Sequence, residues 1–205
     1  MSIDHLVLGV SDLGRGITFV ERATGVRPSP GGRHTHLGTH NAILSLGPRC
    51  YLEILAPDPT QQGLVDPLAL LAGTEQPRLV KWAIVGDVDR AVELFRATIL
   101  PDAAVESGAR TRPDGCEIRW RQVGFLTLTR IDVPFVIEWA PGSAHPAADV
   151  TTGCRLIGVD VVSPDLDSLK AVYQQLDVGA RLLAGPQRSL KAVLDTPLGE
   201  VNLMS

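Results

Sequence analysis

Residues 3–20 read IDHLVLGVSDLGRGITFV. Ile3 to Val10 is a short run rich in Val, Ile and Leu, which favours a buried strand over a helix. Asp12 follows, a short polar side chain able to accept the free N–H groups of a first helical turn. Leu13, Ile17 and Val20 then recur at helical spacing. Gly25 stands near the expected helix end, where a left-handed backbone costs glycine little. The stretch therefore reads as strand, cap, amphipathic helix.

The same reading applies twice more, and a recurring unit decides a fold more firmly than any single element. Residues 79–95, LVKWAIVGDVDRAVELF, carry Asp87 as the cap and Val88, Ala91, Val92 and Phe95 as the helical stripe. Residues 155–173, RLIGVDVVSPDLDSLKAVY, carry Ser163 with Pro164 behind it, then Leu166, Leu169, Val172, Tyr173 and Leu176, with Gly179 near the helix end. Strands follow each helix. NAILSLG and CYLEILA are separated by Gly47-Pro48-Arg49, and SLKAVLDT and GEVNLMS by Pro197-Leu198-Gly199, both turn signals. In the middle unit CEIRWRQVG and PFVIEWA read as strands, with FLTLT as a further candidate. The unit is strand, helix, then two or three strands, over 1–57, 79–141 and 155–205. The linker 58–78 carries a short helix at Pro67–Ala72.

This α+β order of repeated βαβββ modules resembles the vicinal-oxygen-chelate superfamily, and within it the glyoxalase-like domain proteins of bacteria. The resemblance rests on IDHLVLGVSDL, GGRHTHLGTHN from Gly31, YLEIL, PFVIEW and the closing TPLGEVNLM, so it spans nearly the whole chain. It implies curved mixed sheets that pair two modules around one cleft. Three modules are present where an even number closes a cleft. Either one completes another's sheet or the third pairs across a homodimer.

The resemblance also implies a divalent metal held by His and Glu from the first and last strands of two paired modules. Strand residues alternate faces, so His5 and Glu53 fall on the cleft side, opposite Leu6 and Leu52. An imidazole and a carboxylate form a half-site for Fe, Mn, Ni or Zn. The other modules offer Val80 to Trp82 and Gly158 where a second histidine is expected, and Glu138 matches Glu53 only if a bulge intervenes. His36 and His40, from a segment read as a glycine-rich loop around Gly31-Gly32, complete the set only if that loop folds over the site. Glu53 and Glu138 are the candidate catalytic acids. Trp82, Trp120 and Trp139 are candidate aromatic walls for a planar or apolar ligand, joined by Asn41 and Tyr51.

Two functional classes fit this pattern. One is a lyase, isomerase or dioxygenase acting on a small oxygenated substrate. The other is a metal-free module that binds, sequesters or senses a small molecule. Half a ligand set argues against a standard glyoxalase I.

Composition narrows the partners. The chain has 205 residues, 44% hydrophobic and 20% charged, with a net charge of −4, which is ordinary globular composition and gives nucleic acid no basic footprint. No apolar run is long enough to span a membrane. Cys50, Cys116 and Cys154 lack CxxC spacing and read as reduced thiols. With no signal-peptide pattern at the start, a cytoplasmic protein with a small-molecule ligand is expected.

Overall fold

A computed structural model describes residues 2–61, 63–112 and 114–205. The first unit runs β1 (Ile3–Gly9), α1 (Leu13–Thr24), β2 (Ser29–His34), β3 (Thr39–Gly47) and β4 (Cys50–Pro57). The second runs β5 (Arg78–Val85), α2 (Val88–Thr98), β6 (Val105–Thr111), β7 (Glu117–Val123) and β8 (Phe135–Trp139). A 3-10 turn at Leu68–Gly73 lies between them. The third comprises β9 (Arg155–Ser163), α3 (Leu166–Gln175), β10 (Arg181–Ala184), β11 (Ser189–Thr196) and β12 (Gly199–Met204).

The caps act as the sequence suggests in the first two helices. Asp12 accepts from the Arg15 N–H at 2.8 Å and Asp87 from the Arg90 N–H at 3.0 Å. Gly25 ends α1 with φ 77°. The third helix differs. Asp165 is its N-cap residue, and Ser163 instead accepts from the Asp165 N–H. The positive φ near its end belongs to Asp177, not Gly179.

The first two units close one barrel, ordered β1-β4-β3-β2-β6-β7-β8-β5. Each contributes a parallel pair of its outermost strands, β1 with β4 and β5 with β8. The units join through an antiparallel β1–β5 ladder on one side and the Arg33–Thr111 pairing of β2 and β6 on the other. The two units thus curve around one interior and close it into a ring.

Three segments correct the sequence reading. Gly31-Gly32 lies inside β2, because its backbone pairs with β3, and the turn falls at residues 35–38. FLTLT forms no strand but a turning segment after β7. The third unit does not complete another unit's sheet. Its strands form their own sheet, β10-β9-β11-β12, in which β9 pairs with β10 and β11 rather than with the last strand. The same element order has produced a different pairing.

Alternation sorts the barrel residues into two cores. Leu6, Leu8, Leu52, Ile54, Trp82 and Ile84 face outward, where they pack with α1, α2, α3 and the third sheet. Val7, Leu55, Val80, Ala83, Phe135 and Ile137 face inward. Asp132 ties the third unit to the barrel. Its buried carboxylate accepts from Ser163 Oγ at 2.8 Å and Arg188 Nε at 3.0 Å, and its carbonyl accepts from the Tyr173 hydroxyl at 2.7 Å.

Candidate functional site

The inward face of the first unit is polar. β1 carries His5 inward, and a bulge between Ile3 and His5 in the β1–β5 ladder turns Asp4 toward the same region. His5 is 3% exposed. Its Nδ1 lies 2.7 Å from Asp4 Oδ1, and its ring stacks on Tyr51 at 4.4 Å between centroids with Phe135 edge-on at 5.2 Å. These contacts leave Nε2 facing the barrel interior. Asp4 also accepts from Trp139 Nε1 at 2.9 Å and meets His145 Nε2 at 3.2 Å. Burial works against its ionisation, but hydrogen bonds from His145, His5 and Trp139 outweigh that cost and hold the carboxyl well below the usual range.

Glu53, on β4, is 7% exposed. Its Oε1 accepts from Asn41 Nδ2 at 2.5 Å. Two imidazoles flank the carboxylate: His5 Nε2 lies 3.8 Å from Oε2, and His34 Nε2 lies 3.8 Å from Oε1. His34 comes from β2, with its Nδ1 3.0 Å from Thr39 Oγ1. Burial pushes His34 down to about 4, so its imidazole is neutral at pH 7. His5, His34, Tyr51 and Glu53 all line one cavity of about 30 Å³. That is room for about two water-sized groups.

The facing wall comes from the second unit. Phe135, Ile137 and Trp139 of β8 and Trp120 of β7 line it, with Arg110 of β6 and Gln122 of β7 as its polar members. Trp120 Nε1 donates to Gln122 Oε1 at 2.9 Å, and Gln122 donates to Glu106 at 3.0 Å. Gly108 lies beneath the Trp120 ring. A Cβ there would come within 2.3 Å of the indole, so glycine is what lets the ring lie flat against β6. Trp120 and Trp139, 5.8 Å apart, also border a groove of about 570 Å³ outside the barrel that reaches His36, Arg119 and Arg121.

A match to the glyoxalase-like domain family spans residues 3–176. The chain belongs to that family. The domain has the vicinal-oxygen-chelate fold, and the family match ends with α3, before the last three strands of the third unit. Among solved structures, a hypothetical protein from Staphylococcus aureus is similar at 13% identity and TM-score 0.62, over 91% of this chain and 87% of that one. That span exceeds the 154 residues that precede β9, so the likeness in fold extends into the third unit. A methylmalonyl-CoA epimerase from Mycobacterium tuberculosis aligns at 18% identity and TM-score 0.48, over 68% of this chain and 88% of that one. Another from Streptomyces coelicolor aligns at 17% identity and TM-score 0.46, over 69% and 96%. At these scores the two epimerases carry no argument about the site. No curated protein matches the chain.

The metal that the family resemblance implies takes ligands from both halves of the barrel. The donor set of the glyoxalase-like chain does not fit it. β5 presents Val80 and Ala83 to the interior, and β8 presents Phe135 and Ile137, none of which can ligate. Among the described residues no group of three or more His, Cys, Asp or Glu is arranged to hold an ion.

Several expected site residues lie elsewhere. Glu138 does not line the cavity of Glu53 but the outer groove, with Trp120 and Trp139. Strand parity turns it out of the barrel between Ile137 and Trp139, where its side chain is 46% exposed and 3.4 Å from Arg121. Trp82 faces outward and is fully buried, donating to the Ile131 carbonyl at 3.0 Å, so it is core between the barrel and the third unit. His36 borders the outer groove and His40 lies on β3 one residue before Asn41, with opposite parity, so neither reaches Glu53. Asn41 and Tyr51 do lie at the cavity, Asn41 as the partner of Glu53. Asp4, Arg110, Gln122 and His145 were missed. Alternation placed Asp4 on the wrong face because the bulge is invisible in sequence, and β6 carries Glu106, Ser107 and Gly108 in a row, which mask its strand pattern. Cys50 is no nucleophile, since burial pushes its thiol up to about 12.

Proposed function

We propose that the barrel interior is a small-molecule site that moves protons, an isomerase- or lyase-type centre with Glu53 as base. The observation that carries this reading is the convergence of His5 Nε2 and His34 Nε2 on the two oxygens of Glu53, each at 3.8 Å, on the wall of one cavity. Groups that must transfer protons need to be near the reacting atom and held in register. Asn41 holds Glu53, Asp4 holds His5 and Thr39 holds His34. Glu53 would take a proton from a carbon beside a carbonyl, the electron pair moving onto the carbonyl oxygen. The proton would then return from Glu53 to the same carbon, or through His5 to a neighbouring atom. The body of the substrate would lie in the outer groove against Trp120 and Trp139, whose 570 Å³ suits a small organic molecule.

The test is hydrogen–deuterium exchange at the α-carbon, followed by NMR in D2O across 2-oxo acids, α-hydroxy ketones and acyl thioesters. Wild-type protein should exchange at least one class, and Glu53→Gln should slow it by roughly 100-fold or more. No exchange with any class would refute the proton-transfer reading. The apolar wall of Ala83, Phe135 and Ile137 supports a second reading, a metal-free module that binds its ligand without turnover. Saturable binding of a compound that never exchanges would favour it.

A further inference from the structure

Arg110 lies on β6, which stands four strands from β1 in the ring of eight, so its side chain enters the barrel from the wall facing His5. The residue is 5% exposed. One guanidinium nitrogen donates to the Gly31 carbonyl on β2. No carboxylate among the described residues forms an ion pair with it, although a buried arginine is almost never left without such a partner or a ligand. The only buried side-chain polar atom without a partner is Asn41 Oδ1, among the described residues. The remaining N–H groups of Arg110 are therefore not sealed in protein but open onto space. The residue lines the same cavity as His5, His34 and Glu53, and on its other side a pocket whose carboxylates, Asp114 and Asp149, are held by Arg112.

A buried, permanently charged fork with spare donors calls for an anion, and a carboxylate matches its geometry in a way that a point charge does not. The carboxylates nearby are already engaged. Asp4 is taken by His5, Trp139 and His145, and Glu53 Oε1 by Asn41. The cavity has room for about two water-sized groups, the bulk of one carboxylate's pair of oxygens.

We infer that Arg110 is the anion-binding residue of this cavity and that the ligand is a small organic carboxylate, its head against the guanidinium and its remainder directed past Trp120 and Trp139 to the groove. The inference rests on the barrel interior being the ligand site, and it names the substrate class of that site. An acid bound this way would present its α-carbon toward Glu53 and His5.

The experiment reads the guanidinium directly. Side-chain ¹⁵N NMR signals of Arg110 are assigned by their loss in Arg110→Lys, and wild-type protein is titrated with pyruvate and acetate, with acetamide as the uncharged control. A saturable shift of the Arg110 signals with the carboxylates, absent with acetamide, is expected. Arg110→Lys and Arg110→Met should each weaken pyruvate binding, followed by tryptophan fluorescence, by at least ~10-fold. Glu53→Gln should keep or tighten it, because a repelling carboxylate has gone. Carboxylates that leave the Arg110 signals unmoved, or acetamide that moves them equally, overturn the inference, and the titration itself is read on wild-type protein. The two readings separate cleanly. Carboxylate binding without α-exchange removes the proton-transfer chemistry and leaves the anion site. Exchange without any response at Arg110 does the reverse.

Discussion

The two halves of the barrel have the same order of elements and opposite inner surfaces. In the first, β1 to β4 turn His5, His34, Asn41, Tyr51 and Glu53 inward. In the second, β5 to β8 turn in Val80, Ala83, Phe135 and Ile137, with Arg110 and Gln122 as the polar exceptions. Their outer surfaces, by contrast, are alike, with Leu6, Leu8 and Leu52 in one and Trp82, Ile84 and Val136 in the other. The outer face of each half must cover an amphipathic helix, which demands apolar residues of about the right volume. The inner face meets only the opposite wall and whatever enters, so its chemistry is free to diverge. One half has become a wall and the other a reactive surface.

The largest expected effect tests the wall. Phe135 is fully buried, packs edge-on against His5 and meets Phe125 at 5.2 Å. Phe135→Ala should cost about 3–5 kcal/mol in urea unfolding. A loss no greater than that of His5→Asn would break the division between a stabilising half and a reactive one.

The halves should also differ in the pH window over which stability changes. Lys81 of β5 is fully buried, with Nζ donating to the carbonyls of Thr127 at 2.9 Å and Arg130 at 3.0 Å. Burial pushes it down to about 7 from 10.5. Between those values the unfolded chain holds the proton that the folded chain has lost, so stability should rise as pH climbs from 7 to 10.5, by on the order of 5 kcal/mol. Lys81→Met should flatten that slope in denaturant titrations at several pH values.

His34 belongs to the other half and to a lower window. Its folded value of about 4 lies below the ordinary 6.5, so the unfolded chain takes up the proton first as pH falls. The contribution of His34 should be full above 6.5 and decline toward pH 4, by roughly 3 kcal/mol. His34→Gln should remove this decline while leaving the alkaline rise of Lys81 in place. A single variant that abolished both slopes would show that the halves do not titrate independently.

The smallest effect concerns the acid that faces the wrong way. Glu138 is half exposed beside Arg121, and exposed ion pairs contribute about 0–1 kcal/mol. Glu138→Gln should leave stability within that range and α-exchange within about twofold, against the large loss from Glu53→Gln. A comparable loss would return Glu138 to the reacting cavity.

The sequence by itself determined what depends on local pattern. Asp12 and Asp87 announce helix starts because an N-cap is chemistry between residues three apart. The parity of His5 against Leu6, and of Glu53 against Leu52, is legible because strand side chains alternate regardless of context. The family follows from the same segments. Parity failed where the ladder was irregular. Asp4 needed the bulge opposite β5, and the choice between Ile137 and Glu138 needed the register of β8. β2 was hidden because its glycines lack strand propensity and are held by pairing with β3 and β6, an interaction between distant residues. Only the tertiary structure decided which units close the ring, that β9 pairs differently from β1 and β5, that His34 and Arg110 meet at one cavity, and that His145 reaches Asp4 from 141 residues away. Those are facts of closure and packing, set by which surfaces bury one another and not by the order of residues along any strand.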